Sequence, residues 1–426
     1  MKEIRAIALV AGAALAATPF AFAGASKGRK FESGTKSEEA RKLLTELQTR
    51  IENFQFGAQN GEMARKVVAA DPSWALGQYY VSATQNNPAD GEKEYLKAKE
   101  MAAKAPEGER RFIEAMYWAR VNQGNDFKKS IEPLEALAQD YPGERLAFMI
   151  LGQLYQGDRQ PAKARAAFEK ALAIGPRSAR AEAFLAGDEL LKGNYEKART
   201  LYEGVEKNLP KGSVPFAIRF GVTFSHLYQG HTDQALQSLQ TYLQEYKANG
   251  LDAQFPEVFI WNAMARINLE NGRLDAAMAD YKKGYESVPD SKLPEDQKQT
   301  WYGRLRHGTA RTLARMGKHQ EAWAETEAVK KMIEDGGEPA KQYWPAYHYL
   351  AGYVKLEAGD YAAAVEHLKQ ADANDPFHTL LLARAYEKLG QKVEARKEYE
   401  KVLASQQAGI ERALSYPEAK RKIQSL

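Results

Sequence analysis

The stretch LGQLYQGDRQPAKARAAFEKALAIGP, residues 151–176, decides the fold. Leu151, Gly152, Tyr155, Ala164, Phe168, Ala171 and Pro176 stand in it at spacings that return 34 residues later, as Leu185, Ala186, Ala198, Tyr202, Val205 and Pro210. Each period holds two helix lengths and a turn. A single helical hairpin cannot bury its apolar face alone, so neighbouring copies stack and share a core. The expected fold class is all-α, a solenoid of antiparallel helix pairs.

Working outward, the clearest marker is a small residue near the start of each second helix: Ala164, Ala198, Ala235, Ala277, Ala322, Ala364 and Ala395. Twelve residues before each stands Gly152, Ala186, Thr223, Ala265, Ala310, Gly352 or Ala383. Two helices joined by a short turn approach closely only where their contact side chains are small. Phe168, Tyr202, Tyr281, Leu368 and Tyr399 are the large residues expected to wedge against the next hairpin. Gly193, Gly230, Gly272, Gly317, Gly359 and Gly390 fall where the turn between the two helices belongs. Pro142, Pro176, Pro210, Pro289 and Pro376 close second helices or open the next ones.

This pattern resembles the tetratricopeptide repeat family, and the resemblance implies that the solenoid is a right-handed superhelix. The resemblance is carried by Leu151-Gly152, Tyr155, Ala164, Phe168, Ala171 and Pro176. It returns at Trp261, Ala265, Gly272, Ala277, Tyr281 and Pro289, and at Ala351-Gly352, Gly359-Asp360-Tyr361, Ala364, Ala371 and Pro376. Seven copies run from Arg145 to Leu403, and Phe112 to Pro142 reads as an eighth, with Trp118 at a normally small position. Two divergent hairpins, Arg41 to Pro72 and Trp74 to Pro106, precede them. The alanine markers are 34, 37, 42, 45, 42 and 31 residues apart, so inserted residues are expected at Lys211 to Pro215, Ala248 to Glu257, Asp290 to Thr300 and Gly336 to Trp344. In a solenoid such insertions map to loops on one edge.

The N-terminus reads differently. Lys2 and Arg5 precede an apolar run, Ala6 to Ala17, too short to span a bilayer, and Ala21-Phe22-Ala23 offers a small-residue cleavage site. Residues 1–23 are therefore expected to be a secretory signal peptide, and residues 24–36 (GASKGRKFESGTK) a flexible linker. Divergent hairpins over 37–142, a seven-repeat array over 143–405 and a polar capping helix over 406–426 complete the expected organisation. The chain has no cysteine, which removes disulfides, thiolate metal sites, cysteine nucleophiles and an N-terminal lipid anchor. A periplasmic or secreted protein, not inserted in the membrane after signal cleavage, is the expected location.

Composition narrows the function classes. Sixty basic residues stand against 56 acidic ones, a net charge of +4, too even to call for nucleic acid. Gly24-Ala25-Ser26-Lys27-Gly28 fits a nucleophile-elbow spacing and Ser33-Gly34-Thr35-Lys36 fits S-x-x-K, but both lie in the linker with no strand-to-helix context. No enzyme, cofactor or metal is implied. The seven histidines read as packing or surface groups, with His348 and His367 on paired helices able to approach each other.

The family resemblance implies that first helices line a concave groove and that certain of their positions contact ligand. Carried over, those positions are Phe220, Phe224, Asn262, Arg266, Arg304, His307, Arg311, Tyr349 and Tyr353, with Arg384 further on. Arginine forks suit carboxylates and phosphates, and aromatics give rigid contact area. The expected function is an exported scaffold or adaptor binding a protein or peptide; the alternative is a periplasmic receptor for a small anion, of the kind that serves a transporter. Against both stands the reading that these arginines pair with acidic residues of neighbouring helices.

Overall fold

Helix ends and turn residues set the local structure first. Ser37 caps the first helix, its hydroxyl accepting from the Ala40 N–H at 3.1 Å. Gly272 and Gly359 take φ of 77° and 82°, the left-handed conformation that ends one helix and lets the next double back. The computed structural model describes residues 28–426 apart from 56, 86, 121–125, 210–213, 215, 250–256 and 292. The expected signal peptide, residues 24–27 of the linker and most of the first two expected insertions therefore lie outside the described residues.

The described residues are helices and their connections, with no strand among them. Helices follow as α1 (Glu38–Glu52), α2 (Ala58–Ala70), α3 (Ala75–Ala83), α4 (Pro88–Ala102), α5 (Glu107–Ala115), the short α6 (Tyr117–Arg120), α7 (Phe127–Asp140), α8 (Arg145–Gly157), α9 (Pro161–Ile174), α10 (Ala179–Leu191) and α11 (Tyr195–Lys207). Then come α12 (Phe216–Tyr228), α13 (Thr232–Asn249), α14 (Val258–Glu270), α15 (Leu274–Ser287), α16 (Glu295–Arg315), α17 (His319–Asp335), the short α18 (Gly337–Ala340), α19 (Trp344–Glu357), α20 (Tyr361–Leu368), α21 (Pro376–Lys388), α22 (Lys392–Ala404) and α23 (Ile410–Ser425). Successive helices pack as hairpins, among them α1 with α2, α8 with α9, α14 with α15 and α21 with α22. The fold is an all-α array of helix pairs.

The small residues act as notches. A Cβ on Gly152 would fall 2.6 Å from the Phe168 ring, and one on Gly308 would fall 2.2 Å from the Tyr281 ring. Tyr281 thus wedges into the following hairpin as expected. Phe168 does two jobs, filling the Gly152 notch of its own hairpin and packing 5.0 Å from Phe184 of the next. Where Trp118 replaces the small residue, the helix is interrupted at Met116. Two of the expected insertions take helical form: residues after Pro294 lengthen α16, and Gly337–Tyr343 make α18 and a 3-10 turn.

The chain divides into two compact units. One ends at Asp188 and takes in Gly204–Leu209; the other comprises Glu189–Glu203 and runs on from Pro210. The N-terminal unit has a core that includes Leu47, Tyr95, Phe112, Phe148 and Phe168. In it, the reading of residues 24–36 as a flexible linker fails over 28–36. Arg29 forms a two-point ion pair with Glu107 at 3.0 and 2.6 Å, Phe31 packs edge-on to Tyr141, and the Thr35 hydroxyl donates to Asp71. The buried Glu109 carboxylate accepts from the Leu76 backbone N–H at 3.1 Å and lies against Gly34. The Thr35 N–H donates to the Ser33 hydroxyl, the Thr35 carbonyl accepts from Arg41, and the Arg29 N–H reaches the Asp140 carbonyl.

Candidate functional site

The C-terminal unit places its first helices, α12, α14, α16, α19 and α21, in succession, and the expected site residues lie on the first four of these. The structure shows a feature that register alone does not carry: α23 packs against α12, α14, α21 and α22. An end cap would touch only the last hairpin. Here the final helix also reaches first helices that precede it by four and three hairpins.

Its seating is polar and specific. Glu411 and Glu418 are seven residues apart, two turns, and so share a face. Glu411 pairs with Arg266 of α14 at 2.5 Å. Glu418 accepts two bonds from Arg384 of α21, at 2.8 and 2.6 Å, in the fork geometry that arginine offers a carboxylate. Lys422, one turn further, donates to Glu387 of α21 at 2.6 Å. On the adjacent face Arg412 donates to the Tyr228 hydroxyl of α12 at 3.0 Å and lies 4.2 Å from the Tyr416 ring centre. Burial pushes the Glu411 and Glu418 carboxyls up, but Arg266 and Arg384 outweigh it and hold both below the usual carboxylate range.

Deeper, the predicted residues form a packed polar layer. Arg311 is buried, donating to the hydroxyls of Tyr349 at 2.8 Å and Tyr281 at 3.1 Å. His307 donates from Nε2 to the Ala346 carbonyl at 3.2 Å, and Tyr349 lies 4.8 Å from its ring and 4.0 Å from that of His378. Burial first, and the nearby Arg311 charge second, push the His307 pKa well below its ordinary value, so the ring is neutral. Tyr353 is fully buried and donates to Glu270 at 3.2 Å. Phe220 and Phe224 are buried with rings 5.6 Å apart, and Asn262 is half-buried.

The structure therefore brings together Arg266, His307, Arg311, Tyr349 and Tyr353, and separates them by depth. Arg311 and Tyr353 are covered by their own hydrogen-bond partners. Arg266 is covered by Glu411. Arg304, stacked 5.1 Å from Trp301, is the exposed cation of the set. Sequence reasoning missed Glu411, Arg412, Glu418, Tyr228 and His378. A signal for Glu411 and Glu418 was present, since 411, 415, 418 and 422 recur on one helix face.

Beside α23 lies a cleft of ≈ 280 Å³ with Tyr195, Tyr228 and Tyr416 as walls and Lys420 and Arg421 at its edge. His348 and His367 do meet, Nδ1 to Nδ1 at 3.1 Å, one ring donating to the other. Among the described residues no group of three or more His, Cys, Asp or Glu converges as a metal would require.

A tetratricopeptide repeat model matches residues 151–213 and 225–292, and a second tetratricopeptide repeat model matches 355–415. No curated protein matches the chain. Among solved structures, the type IV pilus biogenesis factor PilW is 19% identical, covering 53% of this chain and 94% of its own, with a TM-score of 0.40. A tetratricopeptide repeat protein from Parabacteroides merdae is 14% identical, covering 63% and 99%, with a TM-score of 0.38. PilF of Pseudomonas aeruginosa is 15% identical, covering 60% and 99%, with a TM-score of 0.37.

Proposed function

The chain belongs to the tetratricopeptide repeat family, and from that premise we propose that it is an exported, non-catalytic scaffold that binds a protein partner on the first helices of its C-terminal unit. The observation that carries this reading is the seating of α23. Arg266 and Arg384, on the first helices of two hairpins with two others between them, each hold a carboxylate from one helical segment. A surface with that geometry holds a helix by its side chains and asks for no reacting group. Arg304 is the inner cation left exposed, and it lies on the helix between Arg266 and the α19 aromatics.

Export rests on Lys2, Arg5, the Ala6–Ala17 run and Ala21-Phe22-Ala23, and on the lack of cysteine. Among the described residues no helix is long and apolar enough to cross a membrane. Amino-terminal sequencing of the native protein should begin near Gly24.

A photo-crosslinking side chain tests the binding face. Placed at Arg304, it should capture a defined protein in intact cells; placed at Val393, exposed on the second helix of its hairpin, it should not. The same capture from both positions would remove the inner face as the binding surface. A second reading, binding of a small anion, is favoured by one observation, the tyrosine-walled cleft edged by Lys420 and Arg421. An aromatic carboxylate that raises the melting temperature of the wild type but not of Lys420→Ala/Arg421→Ala would support it.

A further inference from the structure

We infer that α23 is the resident stand-in for the partner: the inner face of the C-terminal unit is built to take an amphipathic helix carrying two carboxylates seven residues apart and an aromatic between them, and a partner segment of that kind binds by displacing α23. This rests on the scaffold reading above and adds the partner's chemistry and its regulation.

Four observations support exchange over permanent closure. The recognition is carried by side chains at one helical spacing, so it can be copied by another helix: Glu411 on Arg266, Glu418 on Arg384 and Tyr416 against Tyr228 at 5.7 Å. The helix is a poor one in isolation, because Pro417 sits inside it and removes a backbone bond. Its tether suits release, since Ser405 to Gly409 joins it to α22 without regular structure, whereas the hairpins from α12 to α22 are each closed by a tight glycine turn. The seat is also imperfectly filled. Arg266 Nε is buried with no hydrogen-bond partner among the described residues, a cost that a better-matched helix would remove.

A tethered helix competes with any free one at an effective concentration in the millimolar range for a short linker. The free peptide should therefore bind poorly until α23 is loosened. The probe is a fluorescent peptide spanning residues 406–426, used with the full chain. Its Kd should fall about tenfold or more when Glu411→Lys and Glu418→Lys are introduced together in the protein. The same peptide with both glutamates changed to Gln should bind neither protein. A second variant, Pro417→Ala, tightens α23 and should weaken peptide binding relative to the wild type, so the test survives a misfolded lysine variant.

Equal binding of the native peptide to wild type and variants would overturn the inference, as would binding of the Gln peptide as tight as the native one. Concentration-dependent dimers of the wild type that exchange α23 would overturn it too, by assigning the face to a second copy. The two readings separate cleanly. Peptide competition without crosslinking at Arg304 keeps the helix-binding face and removes the cellular scaffold, and crosslinking without peptide competition does the reverse.

Discussion

At the scale of single residues, the buried polar layer under α23 decides stability more than recognition. Arg311 makes two charge-assisted bonds to tyrosine hydroxyls in a buried site. Such bonds contribute about 1.5–3 kcal/mol each and are not additive, so Arg311→Ala should cost roughly 2–4 kcal/mol in urea unfolding followed through the C-terminal unit. His307 gives a pH signature. It is surrounded by Arg311 on its own helix, Tyr349 and the Ala346 carbonyl on α19, His378 on α21 and Arg266 on α14. Its folded pKa is depressed, so the stability it contributes is fully present above the unfolded value near 6.5 and is lost as pH falls through the folded value. Unfolding measured from pH 7.5 to 5.5 should show falling stability. His307→Gln should reduce that slope by up to about 1.4 kcal/mol per pH unit, with a residual slope from His226, His348, His367 and His378, which are also shifted down by burial. The arginines were legible in the sequence because the family resemblance marks their positions on the first helices. Their partners were not, since Glu411 lies 145 residues from Arg266 and no local pattern ties the two.

At the scale of helices, the hairpins were legible because their causes are local. A notch such as Gly152 must face a wedge such as Phe168, and a turn such as Gly272 must reverse the chain, whatever lies elsewhere. Residues 28–36 misled for the opposite reason. Their Gly, Ser and Lys content reads as a linker, yet a buried carboxylate, Glu109, and a ring, Tyr141, wait more than 70 positions later to hold them. Helix α23 is the intermediate case, legible as a helix but not as a ligand of its own array. Its weak point is also local. Replacing Pro417 with Ala restores a backbone donor and removes an interior proline, worth up to about 3 kcal/mol of helix stability. Hydrogen exchange should show amides of residues 410–425 slowed by ten- to a hundredfold in Pro417→Ala, with exchange in α16 and α17 unchanged. No slowing would mean that α23 is held by its side chains alone.

At the scale of the whole molecule, a repeat array is close to one-dimensional, each hairpin resting on its neighbours. The C-terminal unit departs from that rule through one element. Helix α23 contacts α12 in the first full hairpin of the unit and α21 in its last. Arg412 reaches back 184 positions to Tyr228, while Glu418 is bound to Arg384 at the far end. The last helix is therefore a brace as well as an occupant, and releasing it should change the unit's dimensions as well as its surface. In the full chain, Glu411→Lys with Glu418→Lys places like charges against Arg266 and Arg384 and removes both anchors. Small-angle scattering should then show a larger radius of gyration than for the wild type, with helix content by circular dichroism nearly unchanged. Adding the native 406–426 peptide should reverse the expansion, because a helix supplied in trans rebuilds the same two ion pairs. An unchanged radius with α23 released would show that the hairpins hold their curvature by neighbour packing alone, and that the brace plays no part in it.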